Sequence, residues 1–177
     1  MQSALKRHPQ SEGAEALRIA VNANRSPDGV LTLRYRLSGA VDEVRVAPAG
    51  PSERADELWR TTCFEAFIAA PGGGYYELNF SPSSRWAAYR FEGYRAGMAP
   101  VEPLAAPTIE GGADGDGYVL CAALAAGGLA GLSTPDPWRL GVSAVIEDTA
   151  GRKSYWALVH PDGKPDFHHA DGFACEL

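Results

Sequence analysis

The chain has 177 residues, of which 45% are hydrophobic and 21% charged, a balance that supplies a sizeable core and excludes a disordered chain. A formal net charge of −6 argues against the broad basic surface on which nucleic-acid binding depends. No run approaches the roughly 18 apolar residues of a membrane span. Nucleic acid and membrane are therefore not expected partners, and the length suits one domain, 1–177.

At the start, Lys6, Arg7 and His8 have no apolar stretch behind them, so the expected location is the cytoplasm. The three cysteines, Cys63, Cys121 and Cys175, are odd in number, widely spaced and free of any CxxC pair. Each sits among apolar residues, and all three are expected to be buried free thiols. Residues 17–23 and 30–37 flank the turn signal Pro27-Asp28-Gly29 and predict an opening hairpin. In the second of these strands Leu31, Leu33, Tyr35 and Leu37 share one face, with Thr32, Arg34 and Arg36 on the other.

A polar stretch, 51–60, precedes a second hairpin. Residues 62–69 alternate Phe64, Ala66 and Ile68 against Cys63, Glu65 and Phe67. After Gly72-Gly73-Gly74, residues 75–81 alternate Tyr76, Leu78 and Phe80 against Tyr75, Glu77, Asn79 and Ser81. The glycines supply the positive φ of the turn. Further strands are expected at 86–91, 118–124, 138–146 and 154–160, with at most a short helical turn inside 122–132, where Gly127, Gly128 and Gly131 oppose a helix. Many short strands joined by Gly- and Pro-rich turns predict an all-β, two-sheet antiparallel β-sandwich of jelly-roll or immunoglobulin-like type.

Residues 56–68 (Asp-Glu-Leu-Trp-Arg-Thr-Thr-Cys-Phe-Glu-Ala-Phe-Ile) and 75–82 (Tyr-Tyr-Glu-Leu-Asn-Phe-Ser-Pro) resemble DOMON-like domains, which are similar to the family 9 carbohydrate-binding modules. The stretches 154–161 and 163–169 resemble one bacterial branch of that group. The resemblance implies a sandwich with a ligand site on one sheet, binding sugar or haem, usually without catalysis. It also implies a Trp a few residues before a Glu on the strand that begins the site, matched here by Trp59 and Glu65. The Arg and Asn expected at alternate positions of the next strand fall on Asn79 and Ser81, so the Arg is missing. A second, late Trp has no clear counterpart, since Trp156 lies on an apolar strand and Phe167 is a loop aromatic.

Read as chemistry, Glu65, Glu77, Asn79 and Ser81 form one polar face suited to a polyhydroxylated ligand, because carboxylates and amides exchange hydrogen bonds with hydroxyls while rings stack on a sugar face. The same residues also fit the solvent side of a half-buried sheet. Trp59, in a polar segment, is the expected exposed platform; Trp138 and Trp156 are expected in the core, and Trp86 fits either role. Arg60 and Arg90 can hold an anionic group of a ligand. The expected site is therefore Trp59, Arg60, Glu65, Glu77, Asn79, Ser81, Trp86 and Arg90, with a sugar-like small molecule as partner and with no metal or cofactor.

Three alternatives accompany it: a glycosidase using Glu65 and Glu77, a metal-assisted enzyme using His160, His168 and His169, and a haem module with His or Met98 as axial ligand. The tail histidines match no zinc spacing. The expectation is that this tail wraps the sandwich, with its Asp and His side chains bonding backbone. Asp114-Gly115-Asp116-Gly117 is expected to be a turn.

Overall fold

A computed structural model describes residues 1–132 and 137–177. Its strands are β1 (Gln2–Ala4), β2 (Lys6–Arg7), β3 (Arg18–Arg25), β4 (Val30–Ser38), β5 (Cys63–Ala69), β6 (Tyr75–Phe80), β7 (Trp86–Phe91), β8 (Ala99–Pro100), β9 (Thr108–Asp114), β10 (Gly117–Ala125), β11 (Arg139–Glu147), β12 (Lys153–Ala157) and β13 (Cys175–Glu176). Helical structure among the described residues is limited to short 3₁₀ turns, including Leu58–Arg60 and Ala170–Gly172.

The smaller sheet runs β1-β3-β4-β10-β9, and the larger runs β2-β12-β11-β5-β6-β7-β8 with β13 also on β11. Their ladders are antiparallel. Period-two alternation turns Leu31, Leu33, Tyr35 and Leu37 of β4 inward, where they meet Phe64, Ala66, Ile68, Leu78 and Phe80 of the larger sheet in one apolar core. Tyr35 is fully buried, and its hydroxyl donates 2.7 Å to the carbonyl of Glu65. That bond ties the smaller sheet to the residue that floors the site described below.

The outer face of the larger sheet is not a solvent face. Glu65 is 2% exposed, Glu77 5% and Asn79 0%, where alternation alone expects an exposed polar surface. The cause is a second apolar cluster of Phe67, Tyr75, Ala87, Tyr89, Phe91 and Phe173, against which Leu58 and Phe167 pack. The 57–60 segment and the C-terminal tail thus cover the sheet. Gly141 admits the tail: a Cβ there would stand 3.0 Å from the Gly172 carbonyl oxygen.

Other expectations need adjustment. Residues 108–114 form β9, which the Gly111-Gly112 pair hides from propensity; that bareness leaves room for the ring of Tyr118 on β10. Cys63 is buried, but Cys121 and Cys175 are only partly so. The segment 114–117 is the β9–β10 turn. Gly72, Gly73 and Gly74 all have positive φ (79°, 106° and 71°). At Gly74 a Cβ would meet the Phe91 carbonyl oxygen at 2.1 Å, so the β5–β6 turn requires glycine.

Candidate functional site

Register builds the floor of the site. Glu65 of β5 pairs with Asn79 of β6 on one side and with Ser143 of β11 on the other. Glu77 pairs with Phe67 and is therefore the diagonal neighbour of Glu65 on the same face. Both carboxyl groups line a cavity of about 750 Å³, within the range of roughly 300–1,000 Å³ usual for small-molecule sites.

Three segments wall the cavity. Trp59 and Arg60 come from the 3₁₀ turn Leu58–Arg60. This segment is fixed to the sheet by the Tyr89 hydroxyl, which donates 2.6 Å to Asp56 Oδ1, and Arg60 pairs with Glu57 at 2.8 Å. β12 contributes Lys153 and Tyr155, and the tail contributes Pro165, Phe167 and His168. Phe91, Arg95 and Met98 complete the rim from the β7 side.

The tail is latched at Asp166. Its Oδ1 accepts from Arg95 Nη2 at 2.8 Å and from the His168 amide at 3.0 Å, and the Tyr94 hydroxyl donates to Oδ2. His168 is packed edge-on by Phe67, Tyr75 and Phe91. Burial, with the Arg95 charge added, pulls the His168 imidazole down to about 4. The ring is therefore neutral at neutral pH.

The floor is electrostatically unfinished. Burial pushes the Glu65 carboxyl well above the usual carboxylate range, and the charge of Glu77 adds to this. Glu77 is raised too, chiefly by burial. Glu65 Oε2 accepts a long 3.4 Å bond from Ser143 Oγ, while the buried Oε1 has no partner among the described residues. Asn79 Nδ2 donates 2.8 Å to Glu77 Oε1.

Of the residues singled out by sequence, Trp59, Arg60, Glu65 and Glu77 share the cavity wall. Trp59 is 37% exposed, against 7% for Trp86, 2% for Trp138 and 3% for Trp156. Asn79 lies behind Glu77 and reaches the cavity only through it. Ser81, Trp86 and Arg90 stand elsewhere. β6 ends at Phe80, so alternation lapses and Ser81 Oγ instead bonds the Ser83 hydroxyl at 2.9 Å in the following turn. Trp86 faces the inter-sheet core beneath Arg54. Arg90 has the same parity; it lies over Tyr76 and donates 2.7 Å to the Gly73 carbonyl.

Sequence reasoning missed Arg95, Lys153 and Tyr155 as wall residues and weighed His168 as a metal ligand instead. The spacing of Lys153 and Tyr155 on one face of β12 was a usable signal. The loop residue Arg95 left none, because only tertiary packing brings it over the sheet.

The tail histidines do not converge. His160 Nε2 is 2.8 Å from the Lys6 carbonyl oxygen, His168 sits in the site, and His169 Nδ1 accepts from the Asp171 amide at 3.3 Å. Among the described residues no three His, Cys, Asp or Glu side chains are grouped to hold a metal ion. No described helix is long and apolar enough to cross a membrane.

Neither a family profile nor a curated protein matches this sequence. Solved structures do match its fold. A Bacteroides uniformis protein provisionally described as carbohydrate-binding superposes with a TM-score of 0.65 at 12% identity, covering 97% of this chain and 83% of that one. A family 9 carbohydrate-binding module from Caldicellulosiruptor kristjanssonii, in complex with glucose, gives a TM-score of 0.47 at 11% identity, covering 90% and 75%. The chain is an all-β protein of two antiparallel sheets, with the sandwich architecture of the first of these.

Proposed function

We propose that the chain is a single DOMON-like domain that binds a carbohydrate or sugar-containing metabolite without transforming it. One observation carries the reading: a cavity of ligand size has buried carboxyl groups on its floor and the rings of Trp59, Phe91, Tyr155 and Phe167 on its walls. Polar groups at one end and flat apolar faces around them are what a polyhydroxylated ring with an apolar side calls for. The B. uniformis neighbour, with its provisional carbohydrate-binding description, supports the same reading. Unpaired thiols at Cys63, Cys121 and Cys175 support a reducing, cytoplasmic setting.

The glycosidase reading has the shared cavity of Glu65 and Glu77 in its favour. Such catalysis separates an acid from an ionised partner; burial and the Glu77 charge raise Glu65 the more strongly of the two, so the aryl-glycoside assay below decides between this reading and binding. Haem, which the resemblance also implies, does not fit. His168 has its Nδ1 2.7 Å from the Tyr75 hydroxyl and its Nε2 3.8 Å from Glu77, and Met98 is 58% exposed.

The test is a calorimetric titration of wild-type protein against mono- and disaccharides, repeated with Trp59→Ala and, as a core control, Trp138→Phe. Loss of a stacking ring should weaken binding at least ~5-fold in Trp59→Ala alone. Turnover of an aryl glycoside that Glu65→Gln abolishes, or a Soret band on haemin titration, would overturn the reading.

A further inference from the structure

The floor carries two carboxyl groups whose donors are too few. Glu65 lines the cavity; among the described residues its buried Oε1 has no partner, and its Oε2 has the Ser143 hydroxyl at 3.4 Å. Glu77 has Asn79 on Oε1 at 2.8 Å. Its Oε2 meets one basic group, His168 Nε2, at 3.8 Å.

That histidine supplies no charge. The Arg95 amide donates 3.2 Å to the Tyr75 hydroxyl, so the hydroxyl proton is free to point at His168 Nδ1, 2.7 Å away. Nδ1 is then an acceptor, and Nε2 carries the single proton of a neutral ring. The remaining wall cations are also committed or remote from the floor. Arg60 pairs with Glu57 and Arg95 with Asp166, each at 2.8 Å; the Arg95 charge still reaches Glu77 and lowers its carboxyl, without cancelling the lift from burial. Lys153 forms no ion pair among the described residues, but it projects from β12, beyond β11 from the β5–β6 floor.

A ligand hydroxyl can give one hydrogen bond to this floor but no charge. An ammonium brings three donors and a positive charge, and bonds between ionised partners are roughly twice as strong as neutral ones. Placed between Glu65 and Glu77, it brings donors to carboxyl groups that the protein leaves short of them. An anionic group would meet the two carboxyl groups instead. Building on the sugar-binding reading above, we infer that the ligand is an amino sugar with a free, protonated amine seated on Glu65 and Glu77. Burial lifts both carboxyl groups above their ordinary range, and an incoming cation opposes that lift.

The test is calorimetry on wild-type protein with glucosamine, galactosamine and mannosamine, each beside its neutral parent hexose and its N-acetyl derivative. Glucuronate and cyclohexylamine serve as an acidic sugar and a non-sugar amine. The best amino sugar should bind at least ~10-fold more tightly than its parent hexose, and N-acetylation should remove the advantage. Glu65→Gln and Glu77→Gln, each checked by thermal melt, should bring the ratio close to one. Equal affinity for hexose and hexosamine overturns the amine and leaves sugar binding intact. Tighter binding of glucuronate overturns it in favour of the Lys153 rim. Cyclohexylamine binding as tightly as the best amino sugar supports the amine and overturns the sugar reading. If nothing in the panel binds, both fall.

Discussion

The hydroxyl of Tyr75 lies 2.7 Å from Nδ1 of His168 and also accepts the Arg95 amide at 3.2 Å. One phenol on β6 thereby joins the tail to the loop after β7, and it turns the other imidazole nitrogen toward Glu77. The junction adds to the Asp166 latch in holding the tail over the cavity.

Tyr75→Phe keeps the ring, stacked on Phe91 at 4.7 Å, and deletes only the hydroxyl. His168 Nδ1 and the Arg95 amide then lose their partner. The expected cost is about 1–3 kcal/mol. Faster amide exchange should be confined to the tail and the 92–98 loop. Exchange accelerating equally in β4 and β10 would show that the bond is not local to the cap.

His168 makes stability fall on mild acidification. The unfolded chain takes up its proton near 6.5, whereas the buried ring does so only near 4. Its contribution is therefore intact above about pH 6.5 and is lost as pH falls toward 4, by an amount on the order of 2 kcal/mol. Melts of wild type and His168→Gln across pH 7 to 4.5 should converge toward the acid end. Parallel curves would refute the burial argument.

Glu65 acts with the opposite sign. Its folded-state carboxyl is lifted by burial, so the folded protein holds a proton that the unfolded chain releases just above the ordinary carboxylate range. The stability it contributes is complete below that range and is lost as pH rises through the elevated folded value. Glu65→Gln, which cannot ionise, should gain on wild type in melting temperature between pH 5 and pH 8. A constant difference across that interval would mean that Glu65 ionises normally.

Phe67 and Trp59 should separate stability from binding. Phe67 is 1% exposed at the centre of the cap cluster, so Phe67→Ala should cost about 3–5 kcal/mol in denaturant unfolding. Trp59, 37% exposed on the cavity wall, should change stability by no more than ~1 kcal/mol when replaced by alanine, while sugar affinity drops at least ~5-fold. A large loss of stability in Trp59→Ala would make it a structural plug.

The sequence alone determines the sandwich, because a residue's side of a strand follows from counting by twos. Leu31, Leu33, Tyr35 and Leu37 could face only the core, and Glu65, Glu77 and Asn79 could share only the opposite face. The same count puts Phe67 and Tyr75 on that polar face, and the fold sets Tyr89 and Phe91 beside them, so aromatic cover overrides the exposure that Glu65, Glu77 and Asn79 suggest. That the tail wraps the sandwich was legible; that it lies over this face was not. Tail residues 165–173 have no period, and their position rests on single long-range contacts: Asp166 with Arg95, His168 with Tyr75, and Gly172 against Gly141. Tertiary packing therefore decides that two solvent-side glutamates become a buried floor, and burial gives them their unusual chemistry.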